Sequence, residues 1–238
     1  SLLSDFFILN KPKDIVSGDF YWAKKLNGLI IIAVADCTGH GVPGAFMSLL
    51  GISYLNEIIS DFSQKNDSKL SPSIILDRLR NQVIHSLHQK SSGDKMEDGM
   101  DISLVCLDID KMELQFAGAN NAAVLIRGVS AKKPEMTFLA ADKMPIGIHR
   151  RDNKEFSSKK LKISKGDLLY LYTDGYIDQF GGENDEKFKR QRLNELLINI
   201  HDLSMTEQKS ILDQRIHQWM GAKSNQTDDI LVLGVKIL

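Results

Sequence analysis

Cysteine is scarce in this sequence. Its 238 residues include only Cys37 and Cys106, and both lie in or beside apolar runs that are typical of strands. A disulfide framework is therefore not indicated, and a reducing cytoplasmic compartment is the expectation. Long apolar segments are also lacking, because no run reaches the length of a membrane span and no signal peptide is visible.

An excess of charge of either sign is lacking as well. The chain has 30 Lys and Arg against 31 Asp and Glu, a formal net charge of −1, and no dense basic block. This balance argues against a nucleic-acid partner that is held by phosphate neutralisation. Apolar residues make up 42% of the chain, which is enough to form a core, so disorder is not expected.

The most informative stretch is an apolar run that ends at a carboxylate. Residues Leu29 to Ala35 predict a strand buried on both faces, because nothing in the run alternates. Asp36 follows, and a turn with glycines at 39, 41 and 44 then lets the backbone approach whatever Asp36 holds. Asp36 alone fits two roles, a cap for the next helix or a charge aimed at a metal ion or a phosphate.

A second carboxylate, Asp19, precedes the predicted strand Phe20–Ala23. The dipeptide Asn27-Gly28 predicts a tight hairpin that joins this strand to the next. An antiparallel pair of this kind would bring Asp19 close to Asp36. Two neighbouring carboxylates repel and raise each other's pKa, a conflict that a divalent cation relieves.

Two further strand ends carry acids. Asp174 follows the apolar run Leu168–Tyr172, and the pair Asp228-Asp229 precedes a last strand, Ile230–Ile237. If the fold gathers these acids, they form an all-oxygen site for hard ions such as Mg²⁺ or Mn²⁺. Two such ions would activate a shared water for direct attack on phosphorus. No nucleophile elbow, catalytic Ser/His/Asp pattern or Walker loop offers another chemistry.

The order of elements predicts the fold class. Strands, two helices, more strands, two helices and a final strand follow one another, and a strand meander from 102 to 127 has no crossover helices. This excludes a doubly wound parallel sheet and predicts an α+β, four-layer α-β-β-α sandwich of two antiparallel sheets. We expect residues 1–238 to form a single domain. The helix predicted over Gly44–Ile59 is apolar nearly all round and is expected to be buried.

Several motifs occur in the order seen in the metal-dependent (PPM, type 2C) Ser/Thr protein phosphatases. The chain resembles in particular their bacterial SpoIIE-like branch, over essentially its whole length. The motifs are Ser17-Gly18-Asp19-Phe20, the block from Ala35 to Gly44, Asp98-Gly99-Met100-Asp101, Ala117-Gly118-Ala119-Asn120-Asn121, Thr173-Asp174-Gly175 and Asp228-Asp229-Ile230.

The resemblance implies two Mn²⁺ or Mg²⁺ ions at one end of the sandwich. Asp36 would bridge both ions, and the backbone carbonyl of Cys37 would complete one coordination sphere. The remaining carboxylates would come from Asp19, Asp174 and Asp228, directly or through water, with Asp229 as the alternative to its neighbour.

Two assignments stay open within this resemblance. Eukaryotic members carry a histidine two residues after the bridging aspartate, where this chain has Thr38, and His40 follows two residues later. His40 is either a proton donor or a loop residue that caps the next helix. Asp98 and Asp101 either hold an extra ion or tie down a loop, and we favour the loop. No arginine near Asp19 supplies the phosphate clamp of eukaryotic members.

The function implied by the resemblance is hydrolysis of phosphoserine or phosphothreonine on a regulatory partner, such as an anti-sigma-factor antagonist. The chain would be the C-terminal catalytic part of a longer protein, governed by an upstream sensor domain or linker. A homodimer and a membrane tether outside this sequence are compatible with that. The alternative is a catalytically dormant scaffold that binds a partner. A nucleotidyltransferase is a weaker third hypothesis, because no glycine-rich nucleotide loop is present.

Overall fold

Two five-stranded antiparallel sheets stack face to face, with helices on both outer surfaces. The structure is a computed structural model, and it describes residues 5–65, 70–87, 98–128, 134–148, 154–222 and 224–238. This architecture confirms the α+β, four-layer α-β-β-α sandwich that the order of elements predicts.

The elements follow one another in this chain order. The strands are β1 (Phe6–Lys11), β2 (Phe20–Leu26), β3 (Leu29–Cys37), β4 (Met100–Asp108), β5 (Glu113–Ala119), β6 (Ala123–Arg127), β7 (Glu135–Leu139), β8 (Lys159–Lys162), β9 (Leu168–Tyr172), β10 (Phe180–Gly181), β11 (Glu186–Lys187) and β12 (Ile230–Lys236). The helices are α1 (Gly41–Lys65), α2 (Pro72–Ser86), α3 (Gly175–Asp178), α4 (Lys189–Asn199) and α5 (Met205–Met220).

The two large sheets divide the strands between them. One has the order β1-β12-β9-β6-β7, and the other has the order β2-β3-β4-β5-β8. The predicted hairpin is confirmed, because β2 pairs with β3 around Asn27 and Gly28, whose φ angles of 48° and 83° are those of a tight turn. The predicted meander is confirmed as well, since β4 pairs with β5 and no helix separates β4, β5 and β6.

Strand β3 shows why its sequence does not alternate. Ile32 and Val34 face the layer between the two sheets, whereas Ile31 and Ala33 face the helices α1 and α2. Both faces of the strand are therefore buried, and each face needs apolar side chains. Asp36 lies near the end of this rigid central strand, next to the glycine-rich turn.

Helix α1 is less buried than its sequence predicts. Leu55 and Ile58 pack in the core, but Val42, Phe46 and Leu49 are each more than half exposed. The prediction of a helix buried nearly all round is wrong here, because a helix on a sheet has only one face against it.

The same helix changes the expectation about membrane spans. In the described ranges, α1 is the one helix long and apolar enough to cross a membrane, contrary to the expectation that no run reaches that length. Only 39% of its most apolar window is buried. Its packed face nevertheless belongs to the core of the sandwich.

Candidate metal centre

The β2–β3 hairpin places Asp19 beside Asp36. Phe20 pairs with Ala35 across the hairpin. Asp19 comes just before Phe20 and Asp36 just after Ala35, so the two acids lie side by side at one end of the sheet. Asp19 is 5% exposed, and its Oδ2 accepts a hydrogen bond of 2.6 Å from the Thr173 hydroxyl. Because Thr173 follows β9 of the other sheet, this bond joins the two sheets at the candidate site.

The end of β9 is fixed against the start of β12. The backbone N–H of Thr173 donates to the Leu231 carbonyl at 3.0 Å, and the Leu231 N–H donates to the Thr173 hydroxyl at 3.0 Å. Asp174 and Asp228 are therefore brought to the same edge of the sandwich. The carboxyl groups of Asp174 and Asp36 are joined by a hydrogen bond.

Burial and the repulsion of neighbouring acids raise the pKa values of Asp19, Asp36 and Asp174. Loss of hydration is the largest cause for Asp36, and Asp19, Asp174 and Asp228 add to the rise in its pKa. Burial likewise raises the pKa of Asp19 to about 7, although the Thr173 hydroxyl opposes the rise. Without cations, the cluster therefore retains protons near neutral pH, as expected for carboxylates crowded out of water.

Asp228 and Asp229 have different surroundings although they are neighbours. Asp229 is buried, and its two oxygens accept the backbone N–H groups of Lys13 at 2.7 Å and Gly18 at 2.8 Å. Asp228 is exposed, lines a cavity beside Asp36 and uses Oδ1 to accept the Asp229 N–H at 2.8 Å. This geometry favours Asp228 as a ligand and gives Asp229 the task of holding the loop before Asp19.

Asp101 lies at the site, and sequence reasoning gave it too little weight. It is the register partner of Asp36 across β3 and β4, and it accepts a hydrogen bond of 2.9 Å from the Asn120 amide. That bond fits the predicted role of tying down a loop. Burial raises the pKa of Asp101 to about 6, against the lowering effect of Asn120.

Two cavities of about 280 Å³ each flank Asp36 and Asp101. The loop-side cavity, as we call the first, is lined mainly by loops and includes Cys37, Thr38, Gly39, His40, Gly99, Met100, Pro145 and Asp228. The helix-side cavity, as we call the second, is lined mainly by side chains and includes Asn120, Asn121, Ala122, Tyr172, Asp174, Ile177, Asp178 and Arg190.

His40 directly precedes α1, and its ring contacts an acid of the loop before β2. Its Nδ1 lies 2.7 Å from Asp14 Oδ2, and both side chains are about half exposed. The contact leaves Nε2 as the ring nitrogen available for proton transfer in the loop-side cavity. A role for His40 in catalysis stays a prediction.

The donor set fits hard divalent cations. As the side chains stand, no group of three or more His, Cys, Asp or Glu within the described ranges is arranged to hold a metal ion. Asp36 and Asp174 instead contact each other through a hydrogen bond, and burial raises the pKa of both. A divalent cation would replace the protons that these acids retain and neutralise the repulsion, and oxygen donors without thiolate or imidazole suit Mg²⁺ or Mn²⁺.

The sequence and the fold both match known proteins. The family model described as Stage II sporulation protein E (SpoIIE) matches residues 27–238. The chain belongs to the SpoIIE family. Protein IcfG of Synechocystis sp. (strain ATCC 27184 / PCC 6803 / Kazusa) is 30% identical over 246 residues, which cover 94% of this chain but 36% of that protein. This SpoIIE-family chain thus spans about a third of the length of that curated relative.

Solved structures place the SpoIIE-family chain among PP2C phosphatase domains. The SiaA-PP2C domain of Pseudomonas aeruginosa has a TM-score of 0.84 and 28% identity, with 97% of this chain and 85% of that chain covered. The PP2C phosphatase domain of SpoIIE from Bacillus subtilis, solved with a fragment of its regulatory domain, has a TM-score of 0.71 and 20% identity. That match covers 98% of this chain and 61% of the other.

The structure brings together four of the predicted ligands, Asp19, Asp36, Asp174 and Asp228. Cys37 lines the loop-side cavity, and coordination by its carbonyl stays a prediction, as does every ligand assignment. Sequence reasoning missed three residues that line the helix-side cavity, namely Asn121, Tyr172 and Arg190. Asn121 stands in the motif Ala117–Asn121 but was given no role, and no local signal marks Tyr172 or Arg190, because only the stacking of the two sheets gathers these residues.

Proposed function

We propose that this chain is a metal-dependent phosphatase that hydrolyses phosphoserine and phosphothreonine on a regulatory partner protein. The observation that carries the proposal is the convergence of carboxylates from both sheets at one edge, where burial and neighbouring acids raise the pKa values of Asp19, Asp36 and Asp174. Membership of the SpoIIE family and the likeness to PP2C phosphatase domains support the same conclusion.

The chain's own residues would divide the work in a definite way. Asp36, Asp174, Asp228 and Asp19 would hold two Mn²⁺ or Mg²⁺ ions. When bound, these ions supply Lewis acidity and a water activated for attack on phosphorus. Thr173 orients the Asp19 carboxylate by donating to Oδ2. Asp229 fixes the backbone before Asp19 by accepting two N–H groups.

Proton transfer to the leaving serine or threonine oxygen has one candidate in the loop-side cavity. The Asp14 carboxylate holds Nδ1 of His40 at 2.7 Å, which leaves Nε2 as the atom that would carry the proton. Such fixing of one ring nitrogen is a common way to select a histidine tautomer.

The proposal is tested by hydrolysis of p-nitrophenyl phosphate and of phosphoserine, phosphothreonine and phosphotyrosine peptides, with Mn²⁺, with Mg²⁺ and with chelator. We expect activity with either metal, none with chelator, and a loss of more than about 100-fold in Asp36→Asn. Asp202→Asn, in the exposed loop between α4 and α5, is the matched control and should keep wild-type activity. Equal inactivity of wild type and Asp36→Asn with every metal would overturn the proposal.

The proposal of a regulatory partner is supported by the structural neighbours of this chain. One structural neighbour is titled as the RsbU and RsbW domains of Rv1364c from Mycobacterium tuberculosis, and another concerns the bacterial stressosome. We place the activity in the cytoplasm, which suits the two free, buried thiols Cys37 and Cys106.

A dormant scaffold is the second candidate, and the exposed apolar side chains of α1 favour it. Val42, Phe46 and Leu49 form an apolar surface next to the candidate site, and Ile15 is fully exposed. Calorimetry with and without chelator separates the two functions. Tight partner binding that is unaffected by removal of metal, together with absent hydrolysis, would favour the scaffold.

A further inference from the structure

The helix-side cavity joins the acidic cluster to a single cationic side chain. Asp36 and Asp174 line it on the side of the candidate metal centre, and Arg190 is the one lysine or arginine among its lining residues. The volume of about 280 Å³ is that of a small site rather than of a surface groove. A group bound here would touch the metal centre and the guanidinium together.

Arg190 differs from the other cations at the start of α4. Lys189 and Arg192 both pair with the Glu186 carboxylate. Arg190 has no carboxylate partner within the residues that the structure describes, and its guanidinium lies 4.9 Å from the centroid of the Phe138 ring. The aromatic face and the Tyr172 hydroxyl hold the guanidinium in place. Its other N–H donors remain for a ligand, because arginine has five.

Two buried polar groups in the same cavity also have donors to spare. Tyr172 is 2% exposed, and its hydroxyl lies beside the Arg190 guanidinium, but the hydroxyl proton has no acceptor in the described part of the chain. The Asn121 amide nitrogen is buried and likewise without a partner there. Buried polar groups are nearly always hydrogen-bonded in folded proteins, so these donors are explained most simply by a ligand that accepts from them.

We propose that Arg190 and Tyr172 form a phosphoryl-binding subsite, in which the substrate's phosphoryl oxygens bridge the metal centre and the Arg190 guanidinium. The proposal rests on the proposed function, because it assigns the second half of the same substrate site. Arg190 would donate to two phosphoryl oxygens, a geometry for which its planar fork is suited, while the Tyr172 hydroxyl donates from the buried end of the cavity.

The charges of the cavity favour a phosphate monoester over other ligands. Asp36, Asp101 and Asp174 would repel an anion on their own, so an anion must be held by cations and by Arg190 at once. Asp178 does not compete for the arginine, because it pairs with Lys187 at 2.7 Å. A dianionic phosphoryl group has enough oxygens to meet both partners, whereas a neutral ligand would leave Arg190 unsatisfied.

The subsite is tested by binding rather than by turnover. The probe is a labelled serine peptide in which a CH₂ group replaces the ester oxygen of phosphoserine, measured by fluorescence anisotropy with Mg²⁺ and compared with the unmodified serine peptide. We expect Arg190→Ala to bind the phosphonate peptide about 10- to 100-fold more weakly than the wild type. The affinity of Arg190→Lys should lie between those of the wild type and Arg190→Ala. Inorganic phosphate should compete less well in both variants.

Two further variants provide the controls. Tyr172→Phe should weaken phosphonate binding by about 3- to 10-fold without lowering the melting temperature, because the neighbour of its hydroxyl is the exposed Arg190 side chain, which water can solvate instead. Arg215→Ala, an exposed arginine of α5, should bind like the wild type. Retention of wild-type phosphonate affinity by Arg190→Ala would overturn the proposal, and a lower melting temperature in Tyr172→Phe would show a structural role for that hydroxyl instead.

Hydrolysis of the natural phosphoserine peptide is measured in parallel. If the wild type hydrolyses the peptide but Arg190→Ala binds the phosphonate as tightly as the wild type, the subsite is overturned and the phosphatase proposal stands. Phosphonate binding that depends on Arg190 in a wild type that hydrolyses nothing would overturn the phosphatase proposal and support the subsite.

Discussion

The two cavities that flank Asp36 differ in what lines them: mainly loops in one and mainly side chains in the other. The loop-side cavity is bounded largely by loops whose backbone is fixed by hydrogen bonds, since Thr38 bonds to the Gly99 backbone through both its N–H and its hydroxyl. The Asp229 carboxylate likewise holds the N–H groups of Lys13 and Gly18 in the loop before Asp19. The helix-side cavity is bounded by side chains, among which the buried hydroxyl of Tyr172 lacks an acceptor in the described ranges.

The difference separates two tasks. Backbone locked by short hydrogen bonds fixes where the carboxylates stand, as a site for paired cations requires. Side chains with donors to spare define what binds next to those cations. Substitutions on the loop side should therefore reduce the free energy of unfolding, whereas substitutions on the helix side should reduce binding and leave stability nearly unchanged.

The largest effect on stability is expected at Asp229. Asp229→Ala leaves the buried N–H of Gly18 and the partly buried N–H of Lys13 without their acceptor, and we expect a loss of about 2–4 kcal/mol in the free energy of unfolding. Urea denaturation of the metal-free protein measures it. Asp228→Ala is the matched control and should lose activity with little loss of stability. Equal stability losses in the two variants would remove the distinction between them.

The glycine contact between the loops should give the next largest effect. A Cβ at Gly44 would collide with the Gly39 carbonyl oxygen and would lie 2.9 Å from the Gly18 Cα. We expect Gly44→Ala to cost about 2 kcal/mol and to lower metal affinity, measured by denaturation and by calorimetric titration with Mn²⁺.

Gly28→Ala is the control for that substitution. Its Cβ would meet nothing within 4 Å, although its φ of 83° adds strain of about 1 kcal/mol. Gly28 lies at the opposite end of the β2–β3 hairpin from the acids, so metal affinity should be unchanged. A Gly44→Ala variant that is no less stable than Gly28→Ala would contradict the tight loop packing.

Removing one acid should stabilise the metal-free protein. Asp36→Asn removes the carboxyl group whose own pKa is raised to about 10 by burial and by Asp19, Asp174 and Asp228, and we expect a gain of about 1–3 kcal/mol at pH 7. Differential scanning calorimetry with chelator measures the gain. With saturating Mg²⁺ the order should reverse, because only the wild type gains the full binding energy of the cations.

The pH dependence of the metal-free wild type follows from the same acids. The folded-state pKa of Asp19 is raised to about 7 from an ordinary 3.8, so between these values the folded state binds more protons than the unfolded state. The free energy of unfolding therefore falls as the pH rises from about 4 to 7. Unfolding at a series of pH values with chelator measures this slope, and a stability that increases over this range would contradict it. The slope should be shallower in Asp36→Asn.

The smallest effect on stability is expected at His40, which lines the loop-side cavity but is held only by a half-exposed contact. Its contact with Asp14 is half exposed on both sides, and such pairs contribute little. We expect His40→Gln to change the free energy of unfolding by less than about 0.5 kcal/mol. A kcat loss of 100-fold or more in the same variant would assign His40 the proton transfer to the leaving group.

Much of the fold was predictable because its signals are local. The hairpin at Asn27 and Gly28 is specified by two residues, and the doubly buried strand β3 is visible in its unbroken apolar run. The acids at strand ends were identified for the same reason. The exposed part of α1 was not predicted, because an apolar sequence does not specify which face meets the sheet.

The helix-side cavity was not predictable from the sequence. Asp101 meets Asp36 through the β3–β4 register, and these strands are separated by α1 and α2. Tyr172 and Arg190 share a cavity with Asn121 only because two sheets stack, and neither position carries a local pattern that differs from ordinary strand or helix sequence. Such placement depends on packing over the whole sandwich.

The carboxylate of Asp229 and the N–H of Lys13 are separated by 216 positions in the chain, and β1 pairs with β12 over its whole length. A nascent polypeptide leaving the ribosome therefore carries Asp19 and Asp36 long before the segment that secures them has been made. Contacts of such long range are slow to form. The ion-binding edge should thus be among the last parts of the domain to mature during synthesis, which would keep unfinished chains from trapping metal.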